Sequence, residues 1–334
     1  MSSPFGPAAT TGLGSLPGED IREWTKLVLD VVTIPFLPEL PARPYGDMMS
    51  RAVAVLTELA CDLQPAGWRL TGGTDARASL DQRRARSLLQ QDLDVLEELA
   101  DGYKGPLKVQ LAGPWTLAAT IERPRGDKVL ADHGARRDLA EALAYGVQEH
   151  LTEVRRRVPG ADLVIQLDEP GLPAVLAGAI PTASGWGKHR EVDGPAAVEL
   201  LAYAIEAAAP ATTVVHCCAA RPPIEVFLKS GADGVAVDVA LLNDPGWEQI
   251  AMAVEGGTVL YAGVIPTSGL VPHPEKAAET LTRRWHELGL SVPSLADVVV
   301  TPSCGLAGAS PEEAKARLGA LRRTAEVVAE ASQA

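Results

Sequence analysis

Short apolar runs alternate with longer amphipathic stretches along the whole chain, and this alternation restricts the possible fold more than any other feature. The apolar runs cover residues 11–16, 32–37, 107–111, 163–167, 212–218, 234–239, 258–264 and 298–302. Each has the length of a strand, and most read as near-continuous Val, Ile and Leu, as strands buried on both faces do. Between them, residues 83–99, 136–157, 196–208, 222–230, 274–288 and 311–331 carry apolar side chains at helical spacing. Ser310-Pro311-Glu312-Glu313 reads as a helix start, with an N-cap, a first-turn proline and acids at the positive end of the dipole. The alternation predicts an α/β fold with a parallel sheet, and eight strand candidates predict a single (β/α)8 TIM barrel over residues 1–334. An open doubly wound sheet is the alternative. No Pro/Gly/Ser-rich linker splits the chain, and no repeat of roughly 20–50 residues recurs in it. The polar, Arg-rich stretch 71–86 reads as a loop and a helix start, with no role assigned.

Composition narrows the function. Of 334 residues, 46% are hydrophobic and 22% charged, which suits an ordinary large core. No window approaches the roughly 18 uninterrupted apolar residues of a membrane span, and residues 1–11 have no basic residue, so neither a membrane anchor nor a signal peptide is expected. A formal net charge of −13 argues against nucleic acid and anionic membranes as partners. Cys61, Cys217, Cys218 and Cys304 are too few and too scattered for a disulfide framework, so reduced thiols in a cytoplasm are the expectation.

In a barrel, reactive groups belong at the C-terminal ends of strands. Ser15, Asp168, Glu169, His216, Cys218, Asp238 and Cys304 all interrupt or end apolar runs, so all are expected at one mouth. His216 and Cys218 stand two apart and point the same way on an extended strand, and Cys304 ends another run. One imidazole and two thiols suit a borderline or soft divalent ion, zinc first. Asp238 is the best fourth ligand, its alternative being a helix cap. Cysteines that are merely buried and inert remain the alternative to the whole set. Asp168 and Glu169 can hold a substrate ammonium, or pair with a neighbouring arginine instead. The turn Gly12-Leu13-Gly14-Ser15-Leu16-Pro17 can offer backbone N–H groups to a carboxylate, or is a plain turn. Trp115, in Gly113-Pro114-Trp115-Thr116, lines a pocket or caps the core.

Taken in order, these segments resemble the C-terminal catalytic barrel of cobalamin-independent methionine synthase, over nearly the whole chain. The resemblance implies a zinc-dependent methyltransferase that makes methionine from homocysteine or methylates a related thiol. It assigns zinc to His216, Cys218 and Cys304, the last within Pro302-Ser303-Cys304-Gly305-Leu306. The family's acidic ligand is usually Glu, and Asp238 stands at the matching place. In Gln166-Leu167-Asp168-Glu169-Pro170 the resemblance gives Asp168 the amino group of homocysteine, and in Gly14-Ser15-Leu16-Pro17 it gives Gly14 and Ser15 the carboxylate. Trp115 sits in a turn similar to the family's Gly-Pro-x-Thr turn and is a possible donor-pocket residue.

Two departures bear on the methyl donor. The full-length synthase has a duplicated N-terminal barrel that helps bind polyglutamyl folate, whereas this sequence has the length of one barrel. The family's proposed acid is a histidine, but the matching run Ala262-Gly263-Val264-Ile265-Pro266 has none, and the role does not transfer to His273. The chain is thus similar to the short, core form, which implies a methyl-corrinoid or a corrinoid protein as donor. Two other readings are a metal-free barrel enzyme like uroporphyrinogen decarboxylase and a zinc-containing amino-acid-binding module without turnover.

Overall fold

In the computed structural model, residues 4–71 and 78–333 are described. Residues 72–77 of the polar stretch lie outside them; its second part is a helix start, with Ser79 capping helix Leu80–Leu99. Strands β1 (Cys61–Gln64) and β2 (Gly67–Leu70) form a small antiparallel hairpin. The main sheet contains β3 (Gly105–Ala112), β4 (Ala161–Asp168), β5 (Thr212–Cys217), β6 (Gly234–Asp238), β7 (Val259–Ile265) and β8 (Val299–Pro302). All its pairings are parallel and follow chain order, as alternating strands and helices require.

Eight strands were expected in this sheet, and six form among the described residues. At and beside the two missing runs, 11–16 and 32–37, the chain makes isolated bridges instead: Thr10, just before the first, to Val300 of β8, Ser15 to Glu39, and Phe36 to Lys108 of β3. Composition explains this. Pro35 has no N–H to give a ladder, and Gly12 and Gly14 weaken an extended run. The backbone still bonds point by point. Thr11 N donates to Val300 O at 3.2 Å, Ile34 N to Thr10 O at 2.9 Å, and Leu37 N to Lys108 O at 2.9 Å. Both edges of the six-stranded sheet are therefore joined through two irregular segments.

Alternation along the strands sorts the core into two layers. Leu107, Val109, Ile165, Leu167, Val215 and Val235 pack outward with the helices. Ala9, Leu13, Ile34, Val164, Val214, Ala236, Tyr261 and Val299 fill an inner cluster. Strand β3 gives that inner cluster no apolar side chain; it carries the buried Lys108 and Gln110 instead. No helix among the described residues is long and apolar enough to cross a membrane.

Candidate metal centre

The C-terminal end of β5 delivers His216, and the chain places Cys218 one residue past the strand. Two residues beyond β8 comes Cys304. The ligand atoms of these three residues lie within 4.8 Å of one another. His216 is buried and the two cysteines half-buried. The Cys218 and Cys304 sulfurs are 2.7 Å apart, both free thiols. Cys217, between the ligand candidates, turns to the outer core and is fully buried.

His216 is held from behind. Its Nδ1 meets Asp168 Oδ1 at 2.6 Å, and a carboxylate can only accept, so Nδ1 carries the proton. Nε2 is then the atom turned toward the sulfurs; this buried nitrogen makes no hydrogen bond of regular geometry and faces the Cys304 thiol. Burial works against charging His216, but the hydrogen bond to Asp168 and the nearby Cys304 outweigh it and raise the imidazole to about 9. The Cys304 thiol is held well below its ordinary value by the hydrogen bond from Cys218, with His216 acting the same way. Cys218 is pushed up by giving that hydrogen bond and by burial. Two sulfurs, an imidazole nitrogen without a regular hydrogen bond and a carboxylate behind it form a donor set that fits zinc, including the carboxylate–histidine arrangement such sites use.

Asp238 ends β6 and is half-buried. Its Oδ1 accepts from Ala240 N at 3.0 Å, capping the turn Val239–Leu241. Burial raises its carboxyl, and the negative charge of Cys304 adds to this. It stands beside the three-residue group but outside it.

Gly14 and Ser15 reach the same mouth from the N-terminal segment. Leu306 N donates to Ser15 O at 2.8 Å, and Glu39 N donates to Gly14 O at 3.0 Å. Gly14 has φ +115° and abuts Gln110, where a Cβ would come within 2.9 Å of Gln110 Cγ. A Cβ on Gly305 would fall 2.0 Å from Ser15 Oγ, so the serine-bearing turn and the Cys304 loop close on each other only because Gly305 is bare.

Glu169 and Trp115 lie elsewhere. The Glu169 carboxylate is fully buried; Oε1 accepts from Trp115 N at 2.9 Å, and Oε2 from Thr116 N and Thr116 Oγ1 at 2.8 Å. It closes the N-terminus of helix Pro114–Thr120, where the first N–H groups lack partners, rather than facing the mouth. Burial nevertheless pushes it up to about 7. Trp115 is fully buried, with Nε1 donating to Ala197 O and Arg136 over its ring. It belongs to the core rather than to an open donor pocket.

Three side chains without an expected role border the site. Glu39 is 3% exposed; burial pushes its carboxyl up to about 7, against Arg51, whose Nε lies 3.7 Å away. Asp168 adds to that rise, so the two acids share one field. Lys108 and Gln110 lie on the inner side of β3. Their signal was visible as polar residues at alternate places in Leu107-Lys108-Val109-Gln110-Leu111, a pattern foreign to a strand buried on both faces. Glu39 stands two residues past the apolar run 32–37, a place where the strand-end rule could have found it. A cavity of about 1210 Å³ opens at the other end of the sheet, beside Thr212, Asp233, Val259 and Val298, and contains none of these groups.

No family model and no curated protein matches the chain. Among solved structures, it is similar to a B12-independent methionine synthase from Shewanella sp. W3-18-1 in complex with selenomethionine, at 17% identity and a TM-score of 0.66. That match covers 97% of this chain and 98% of the other. A carboxyl transferase domain from Rhizobium etli pyruvate carboxylase matches with a TM-score of 0.32 and 15% identity, over 70% of this chain and 37% of that one, too remote to carry an argument. The motifs and the fold thus point to the same proteins, and over nearly its whole length this chain has the fold of a B12-independent methionine synthase.

Proposed function

We propose that the chain is a zinc-dependent methyltransferase, built on a single (β/α)8 barrel, that transfers a methyl group to the sulfur of homocysteine or a closely related thiol. One observation carries this reading: His216, Cys218 and Cys304 meet at the strand ends with His216 Nε2 making no regular hydrogen bond. These three residues would hold the ion, with Asp238 at the end of β6 as the candidate fourth ligand. Bound there, zinc would supply Lewis acidity that keeps a substrate thiol deprotonated at neutral pH.

The chain's own residues account for the rest of an amino-acid substrate. Asp168 keeps Oδ2 clear of any hydrogen bond among the described residues, and Glu39 Oε1 and Gln110 Oε1 are buried acceptors without a hydrogen bond, Glu39 Oε1 having only the Arg51 guanidinium at 3.7 Å. Such acceptors call for a donor, and a substrate ammonium supplies three. The turn at Gly14 and Ser15 lies beside the Cys304 loop and would take the carboxylate. The related fold was solved with selenomethionine, which supports a methionine-like ligand here. Acids and thiols at the mouth also disfavour a decarboxylase that would grip an anionic porphyrin.

For the donor we favour a methyl-corrinoid, free or on a corrinoid protein. A methyl-folate needs a proton at its leaving nitrogen, which a general acid supplies for roughly 10²–10⁴-fold in rate. No histidine stands in residues 262–266, and His273 is exposed and engaged with Glu275. The protein of similar fold is a B12-independent methionine synthase, so the two donors are compared directly in the test.

The test is metal analysis of the purified protein and of Cys304→Ser, then methionine formation from homocysteine with methylcobalamin or methyl-folate. We expect one zinc per chain, lost in the variant, and faster turnover with the corrinoid. A wild-type protein free of zinc refutes the reading. Zinc without turnover from either donor leaves a thiol-binding module.

A further inference from the structure

One lysine lies deep in the interior with no role in the chemistry above. Lys108 is fully buried in the middle of β3, its Nζ 2.7 Å from Gln166 Oε1 and 5.3 Å from the Phe36 ring centroid. Burying an ammonium is costly, and burial pulls this one down to about 8. A methionine would fill the same volume at less cost, so packing alone does not explain the charge.

Following the hydrogen bonds supplies a reason. A lysine can only donate, so the Gln166 atom facing it must be the carbonyl oxygen. The amide nitrogen then faces the other way, where Nε2 meets Leu13 O at 3.0 Å and Asp168 Oδ1 at 2.8 Å. Asp168 Oδ1 in turn accepts from His216 Nδ1 at 2.6 Å. A donor-only group at one end thus sets the direction of the Lys108–Gln166 and Gln166–Asp168 bonds, and Gln166 cannot flip without placing its NH₂ against an ammonium; Asp168, an acceptor only, takes the His216 Nδ1–H itself and is held in place by the Gln166 amide.

We propose that Lys108 is a positioning residue for the metal centre: it fixes the Gln166 amide, which holds the Asp168 carboxylate against His216 Nδ1–H, so that Nε2 is presented to Cys218 and Cys304. Lys108 touches neither substrate nor metal in this scheme. The inference rests on the proposed metal centre for its purpose, but the hydrogen-bond chain exists without a metal and can be tested without one.

The experiment uses full-length protein with ¹⁵N-labelled histidine. The His216 Nδ1–H proton is followed by NMR in metal-free and zinc-loaded samples, and Zn²⁺ affinity is measured by competition with a chromophoric chelator. Lys108→Met removes the donor at constant volume. Gln166→Glu keeps a partner for Lys108 but offers Asp168 no donor, so it decides the matter should the lysine variant fail to fold. In folded variants we expect the protected Nδ1–H signal to broaden or vanish even without metal. Zn²⁺ affinity should fall about tenfold, the lower end for loss of an outer ligand partner. A signal and an affinity within about twofold of wild type overturn the proposal; so does weakened zinc binding with an unchanged Nδ1–H signal, which would mean that Lys108 acts by charge alone. A wild type that takes up no zinc refutes the metal centre, while the metal-free signal still decides the hydrogen-bond chain.

Discussion

Asp168 serves two partners at once, and the consequence is measurable. Its Oδ1 accepts from both His216 and Gln166, which makes it a support for the imidazole as well as the expected anchor for an ammonium. Asp168→Asn keeps the shape but removes the charge that makes Nε2 a strong donor to a metal. Zinc affinity should therefore drop about 10–100-fold. Homocysteine affinity should fall as well, by one to two orders of magnitude for a charge-assisted hydrogen bond of about 1.5–3 kcal/mol. Chelator competition and calorimetry read the two effects separately, and unchanged zinc affinity would show that His216 does not depend on Asp168. At this scale, the sequence reveals which strand end a residue occupies, since His216, Cys218 and Cys304 end apolar runs that become β5 and β8 of one parallel sheet, with their C-terminal ends on the same side. It does not reveal what a side chain finds there. Glu169 follows Asp168 directly, yet the start of helix Pro114–Thr120 captures it, a contact 53 or 54 positions away in sequence.

Helix His133–Arg157 carries a pH dependence in its packing. His150 sits on its buried face, where burial, and then the positive charge of Arg51, hold the imidazole down at about 4 from an ordinary 6.5. Between those two values the unfolded chain binds a proton that the folded protein refuses. Stability therefore falls as pH drops from about 6.5 to 4 and is unaffected by His150 outside that window. The full loss is on the order of 3 kcal/mol. His150→Gln should shrink the difference in urea-unfolding free energy between pH 7 and pH 4.5; a difference as large as in wild type would locate the effect elsewhere. Helices differ in how plainly the sequence announces them. Pro311–Ala331 begins and ends where expected because Ser310 and Glu313 form a capping box before a first-turn proline. Helix His133–Arg157 starts three residues ahead of the expected 136, capped by Asp132, which precedes any apolar periodicity. Ile21–Val31 buries only Trp24, Thr25 and Val28, too thin a stripe to stand out, and the four-residue strands of the β1–β2 hairpin are too short to show a period.

At the scale of the whole molecule, what matters is whether the sheet is open or closed. Alternating strands and helices imply a parallel sheet, and chain-order pairing from β3 to β8 follows; the run count cannot tell a ladder from a few bridges, because Pro35, Gly12 and Gly14 act on single hydrogen bonds. The bridging bonds make a definite claim. If the two irregular segments close the ring, β3 and β8 are not edges. Lys108 N, bonded to Pro35 O at 2.8 Å, and Val300 N, bonded to Ala9 O at 2.8 Å, are then interior bonds. In an open sheet, such amides would exchange through local fraying, since edge strands open without the rest. In a closed ring, they exchange only when the whole sheet does. Native-state hydrogen exchange should therefore give Lys108 and Val300 amides protection within about tenfold of that at Ile165 and Val214 in the middle of the sheet, with the same denaturant dependence. Ile34 N, which links the two irregular segments through Thr10 O at 2.9 Å, should follow them, as the last bond of the circle. Exchange at Lys108 and Val300 that is hundreds-fold faster and insensitive to denaturant would make the fold an open six-stranded sheet. The Ser15 turn would then be free to move relative to the Cys304 loop. The candidate site draws on both sides of that seam, with Gly14, Ser15 and Glu39 from the irregular segments and His216, Cys218 and Cys304 from the regular strands, so closure of the sheet also fixes the geometry on which the proposed chemistry depends.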